Sequence, residues 1–176
     1  AKARGLRTAL LVAVAVSLAW GAAQPPDAGR TDVVLVLDAS GSMFNELPDG
    51  RLRITAAKEA LAAFVGRLPG SAGLNVGLRV YGARTMALDP DACLDSELVV
   101  PVAGLERELL LRTVQGTEPR GATPIAYSLE RAAEDLQAAT GRKLIVLVTD
   151  GEESCGGDLR AVAERLAGEG FEIDLH

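Results

Sequence analysis

Asp38, Ser40 and Ser42 stand at alternate positions in the string Asp-Ala-Ser-Gly-Ser, directly after an uninterrupted apolar run over residues 33–37. A carboxylate and two hydroxyls this close together are hard oxygen donors, the class that holds Mg²⁺, Mn²⁺ or Ca²⁺ rather than zinc or copper. Taken alone the string is weak, because Asp, Ser and Gly also build turns and helix caps. Two further positions add weight. Thr149-Asp150-Gly151 follows a second apolar run, 144–148, and Thr123 stands before Pro124 at the entrance to a helical pattern. In an open α/β sheet the loops at the carboxyl ends of central strands share one rim, so Asp38, Ser40, Ser42, Thr123 and Asp150 are expected to meet there. Two carboxylates at one rim repel each other, and a cation removes that cost. Mg²⁺ requires near-octahedral oxygen coordination and gives up its waters reluctantly, so such a set leaves a position that an outside carboxylate can take.

The elements that must position these groups follow from periodicity. Both apolar runs read as central parallel strands covered by helices on both faces. Leu74, Val76, Leu78 and Val80 alternate with Asn75, Gly77 and Arg79, which predicts a strand with one less buried face. Residues 98–100, ending at Pro101, read as a short edge strand, and Phe171–Leu175 as another strand. Apolar spacings of three and four predict helices over 54–68 and 105–114, a third opened by Pro124, and a fourth capped by Asp158. The loop 116–121, with Gly116, Pro119 and Gly121, is suited to presenting Thr123. This alternation implies an α/β fold: three layers around a doubly wound, mostly parallel sheet with one short antiparallel edge strand. The sequence stops at His176 inside a strand pattern, so the expectation is a C-terminally incomplete domain.

At 176 residues, with 48% apolar and only 3% aromatic residues, one domain with a core of Val, Leu, Ile and Ala is expected. The formal charge of −6 disfavours nucleic acid and anionic membranes as partners. Lys2, Arg4 and Arg7, an apolar stretch, and Gly21-Ala22-Ala23 read as an export signal over 1–23. Residues 24–30 read as a Pro-containing linker and 31–176 as the domain. The destination is then periplasm, cell surface or medium, with membrane contact only through an uncleaved signal. Cys93 and Cys155 have neither C-x-x-C nor metal-ligand spacing, and spacing leaves a bridge and two separate thiols equally open. His176 is the only histidine and no Gly-x-Ser-x-Gly is present, which argues against a Ser-His-Asp hydrolase. No glycine-rich phosphate loop supports nucleotide binding. Glu152 and Glu153 read as acids answering a helix's positive end, and Asp89, Asp91, Asp95 and Glu97 as a solvated acidic loop.

The ordered set Asp38-x-Ser40-x-Ser42, Thr123 before a helix, and Thr149-Asp150-Gly151 after a strand resembles the metal-ion-dependent adhesion site of von Willebrand factor type A domains. Exported bacterial members are the most similar, through Val80-Tyr81-Gly82, Gly121-Ala122-Thr123-Pro124-Ile125 and the segment 150–158. The resemblance implies that Ser40, Ser42 and Thr123 ligate the metal directly while Asp38 and Asp150 act largely through coordinated water. It also implies that Cys93 can reach Cys155, and that the module binds a protein ligand through its Asp or Glu carboxylate without catalysing a reaction. Two other functions compete: a Mg²⁺-dependent phosphatase with Asp38 as nucleophile, and a structural domain that holds no metal. The phosphatase usually needs a second carboxylate where Ser40 stands.

Overall fold

Strand β1 (Thr31–Asp38) is buried from Asp32 onward because a helical layer covers each of its faces. Residues 29–176 are described by the computed structural model; the expected signal and residues 24–28 of the linker lie outside the described residues. Val33, Leu35 and Leu37 pack with Ile54, Ala57, Leu61 and Val65 of helix α1 (Arg53–Arg67) and with Leu110 and Val114 of α2 (Arg107–Gly116). Val34 and Val36 face the other way, onto Ile125, Leu129 and Ala132 of α3 (Ile125–Asp135) and Leu166 of α4 (Leu159–Gly168). The side chains of one strand thus enter two cores, which is why residues 33–37 are apolar without interruption rather than at every second position. Each fully buried Leu, Ile or Val of these stripes contributes about 1.5–3 kcal/mol relative to exposure.

The sheet order is β3-β2-β1-β4-β5. β1 runs parallel to both β2 (Leu74–Tyr81) and β4 (Arg142–Val148), and β5 (Phe171–Leu175) extends the sheet parallel to β4. β3 (Ser96–Val100) is the short antiparallel edge strand. The chain leaves β1 toward β2 and β3, then returns to β4 on the opposite side, so the order reverses at β1 and β4. Ligands of open α/β sheets bind at the carboxyl ends of the strands that flank such a reversal. Register places Leu37 opposite Val148, which brings Asp38 level with Thr149.

Some expectations need adjustment. β2 is buried on both faces rather than having a more open one. Arg79 is covered because its guanidinium grips Asp135 of α3 through two hydrogen bonds, and a Cβ at Gly77 would stand 2.7 Å from the Val102 side chain. Helix α2 begins at Arg107, leaving Leu105 packed from the preceding turn, and Pro124 stands just outside α3 as its N-cap. Asp158 caps α4 as expected, accepting from the Ala161 amide at 2.9 Å.

Candidate metal centre

Beyond Asp38 the chain enters a tight 3₁₀ turn, Gly41–Phe44, that turns Ser40 and Ser42 back over the end of β1. Asp38 is fully buried, with Oδ1 accepting from the Ser40 amide at 2.7 Å and Oδ2 from the Thr149 hydroxyl at 2.6 Å. The Ser40 and Ser42 hydroxyl oxygens lie 3.1 Å apart, and Ser42 donates to Asp150 Oδ1 at 3.1 Å. Asp150 Oδ2 is taken by Arg53 Nη1, from the first residue of α1. Asp38, Ser40, Ser42 and Asp150 therefore form one continuous hydrogen-bonded chain, drawn from positions more than a hundred residues apart. Tyr81 backs this chain by donating to Thr149 Oγ1. Burial first, and then the charge of Asp38, push the Tyr81 phenol well above its ordinary value, so it stays a donor.

Thr123 reaches the same rim through its backbone. Gly41 donates to the Gly121 carbonyl, Gly121 donates to the Gly82 carbonyl, and Arg120 donates to the Ala39 carbonyl, lacing three loops together. Only glycine fits at the centre of this lacing: Gly82 has φ +69, and a Cβ there would meet the Ala122 carbonyl oxygen at 2.7 Å. Ser154 holds Thr123 from the other side, accepting from the Thr123 amide at 2.8 Å and donating its own amide to the Thr123 carbonyl. A Cβ at Gly151 would meet Ser42 Oγ at 3.5 Å and the Thr123 methyl carbon Cγ2 at 3.8 Å, so both residues border Gly151.

Cys93 and Cys155 are joined in a disulfide that ties the loop after β2 to the loop after β4. Glu153 lies outside the hydroxyl cluster. Its carboxylate accepts from the Cys155 amide and from the Ala126 amide in the first turn of α3, so it answers a helix's positive end, though that of α3 rather than the α4 that follows it in sequence. Asp95 departs from the solvated loop expected of it. It is buried and accepts from Arg84 N, Arg84 Nε, Thr85 N and Thr85 Oγ1.

Every side-chain donor of the cluster is oxygen. Among the described residues no group of three or more His, Cys, Asp or Glu is placed to hold a metal, so a cation here depends on the hydroxyls as much as on the two carboxylates. That donor set fits a hard divalent cation. Three contributors are given no role by the sequence: Thr149 and Gly82, which stand within the family-like strings and here orient Asp38 and, through a positive φ, let the loops close, and Arg53, which meets Asp150. Thr149 could be read from its place beside Asp150, but nothing local in the sequence marks Arg53.

The family model described as the von Willebrand factor type A domain matches residues 32–173. The protein YwmD of Bacillus subtilis (strain 168) is 35% identical over 141 residues, covering 77% of this chain; the chain spans 62% of the length of that relative. The manganese-loaded TRAP protein of Plasmodium vivax aligns over 84% of this chain and 56% of its own, with TM-score 0.63 and 16% identity. Proximal thread matrix protein 1 from the mussel byssus, with a zinc-occupied MIDAS motif, aligns over 84% of this chain and 35% of its own, with TM-score 0.64 and 20% identity. At such identities the two structures bear on the fold alone. With the sequence match running from Asp32 in the first strand to Ile173 in the last, through each loop that reaches the rim, the chain belongs to the von Willebrand factor type A domain family.

Proposed function

We propose that this domain is a cation-dependent protein-binding module of an exported adhesion or assembly system, with Asp38, Ser40, Ser42, Thr123 and Asp150 as its metal site. The observation that carries the reading is the convergence of Asp38, Ser40, Ser42 and Asp150 in one hydrogen-bonded chain at the sheet's reversal point. Ser40, Ser42 and Thr123 would offer hydroxyl oxygens to the ion directly. Asp38 and Asp150, already engaged by donors, would act mainly through bound water and supply the compensating charge. Mg²⁺ is the cation proposed, with Mn²⁺ or Ca²⁺ as alternatives of the same chemistry. When bound, the ion supplies an electrophilic position for an Asp or Glu carboxylate of the partner protein.

The relatives favour this class of function. Solved structures with the same fold include the tip protein Mfa5 of the type V pili of Porphyromonas gingivalis and the pilus adhesin SpaC of Lactobacillus rhamnosus GG. These pilus proteins also favour export as the destination. No helix among the described residues is long and apolar enough to cross a membrane. The phosphatase alternative is disfavoured because position 40 carries a serine where a second carboxylate is usually needed and because Asp38 is buried with both oxygens already accepting hydrogen bonds.

Thermal melts in EDTA and then in Mg²⁺ or Mn²⁺ test the metal site. An ion bound only by the folded state adds about 2.7 kcal/mol at a hundredfold excess over its Kd. A rise in melting temperature that is lost in Asp38→Ala is expected, whereas equal melting temperatures with and without ions would refute the site. For the partner, co-precipitation from the source cell envelope is expected to yield a protein retained in Mg²⁺ and released by EDTA.

A further inference from the structure

Arg53 is an unusual residue for the place it occupies. It is the first residue of α1, where the helix dipole favours negative charge and opposes a cation. The first turn of α1 contains no acid, and its N-cap, Leu52, offers no side-chain hydrogen bond. The helix therefore gains nothing locally from Arg53, and the residue's justification must lie elsewhere. Its partner is Asp150: Nη1 meets Oδ2 while Ser42 Oγ meets Oδ1, so the carboxylate is clasped from both sides. The clasp is built into the backbone, because the Arg53 amide donates to the Asn45 carbonyl at 2.9 Å and the Asn45 amide donates to the Ser42 carbonyl at 2.9 Å. The Asp150 side chain is 12% exposed and that of Arg53 33%, so the guanidinium has solvent on one side and the carboxylate has little.

Charge counting gives this contact its meaning. The rim holds two carboxylates, Asp38 and Asp150; Arg53 is the cation paired to Asp150, while Asp38 is held by the Ser40 amide and the Thr149 hydroxyl. One positive charge lets the two acids stay together with no metal present, which would otherwise cost desolvation and repulsion. A divalent ion among Ser40, Ser42 and Thr123 would sit beside Asp150 and face the same guanidinium, a like charge at short range in a partly buried site. We infer that Arg53 is a built-in counter-cation that holds Asp150 in the metal-free protein and competes with the divalent ion, so that it sets the ion's affinity. This rests on the metal-site reading above and deepens it: the rim is assembled before the ion arrives, and the ion is bound less tightly than its ligands alone would allow.

Titration of the full protein with Mn²⁺ alone, with free Mn²⁺ followed by electron paramagnetic resonance, tests the inference through Arg53→Met, Arg53→Gln and Arg53→Lys. Both neutral variants are expected to bind Mn²⁺ about tenfold more tightly than wild type, and Arg53→Lys to stay near wild type because it keeps the charge. In EDTA the neutral variants should melt lower than wild type, with that gap closing when Mn²⁺ saturates them. Unchanged or weaker Mn²⁺ binding in Arg53→Met and Arg53→Gln, with wild type binding normally, would overturn the counter-cation role and leave the metal site standing. Saturable binding that appears only in the neutral variants would support the role in its strongest form. Absence of binding in all four proteins would overturn the metal site and this inference with it.

Discussion

Asp38 and Asp95 are both buried carboxylates beside strand ends, 0% and 1% exposed, and they are solvated by different chemistry. Asp95 is wrapped by its own neighbourhood: two amides, a hydroxyl and the Arg84 guanidinium, all from residues ten or eleven positions away. Three of those four donors are nitrogens and only Thr85 Oγ1 is an oxygen, so Asp95 has few oxygen ligands around it. Asp38 is held by the Ser40 amide and by the Thr149 hydroxyl from the far end of the chain, and beyond those stand further oxygens, Ser42 and Asp150. Burial of an acid therefore does not mark a cation site. What marks it is whether the surrounding groups are themselves oxygen ligands.

The two sites are physically linked by the disulfide, since Cys93 lies two residues before Asp95 and Cys155 lies in the loop that holds Thr123. Replacing both cysteines of the bridge with serine, Cys93→Ser together with Cys155→Ser, should give the largest effect relative to wild type. With the bridged cysteines 62 residues apart, the loss is about 4 kcal/mol of unfolding free energy in urea denaturation on a chain-entropy estimate. Asp95→Ala comes next, at about 3 kcal/mol, because it strands amide and hydroxyl donors. The sharper expectation is that Asp95→Ala keeps the full cation-dependent rise in melting temperature. Asp38→Asn should do the reverse: a loss of about 1 kcal/mol in EDTA, and no stabilisation by Mg²⁺ or Mn²⁺. If both variants lost the cation effect equally, the distinction between the two carboxylates would fail.

The smallest effect is a pH dependence. Burial alone would raise the Asp95 carboxyl, but the Thr85 and Arg84 amides and then the Arg84 and Thr85 side chains outweigh it, and the group is held below its ordinary 3.8. A carboxyl lowered by folding adds stability above its unfolded value and loses it as pH falls through the folded one. The melting-temperature gap between wild type and Asp95→Asn should therefore be constant from neutral pH to about 4, and should narrow below that. A gap that widened in acid would reverse the assigned sign.

Much of this can be read in the sequence, for physical reasons. A strand covered on both faces favours an unbroken apolar run, so residues 33–37 of β1 and 144–148 of β4 stand out, and the groups that follow them fall at one rim by topology alone. Asp95 and Arg79 were harder to place. Each looks solvated in a local window, yet Arg79 is covered by Asp135, 56 residues away, and Asp95 by a loop that turns back on itself. Arg53 is harder still, because its partner lies 97 residues on and its own helix gives no hint of it. Pairs of this kind are fixed by tertiary contact, and periodicity carries no record of them.

Crystals grown in Mn²⁺, with anomalous scattering collected at the manganese edge, offer the most direct measurement. A single strong peak is expected within direct coordination distance, about 2.0–2.6 Å, of the Ser40, Ser42 and Thr123 hydroxyl oxygens, with Asp38 and Asp150 in the surrounding shell. A peak elsewhere on the molecule, or the Asp38–Ser40–Ser42–Asp150 hydrogen-bonded chain intact with no manganese beside it, would contradict the site.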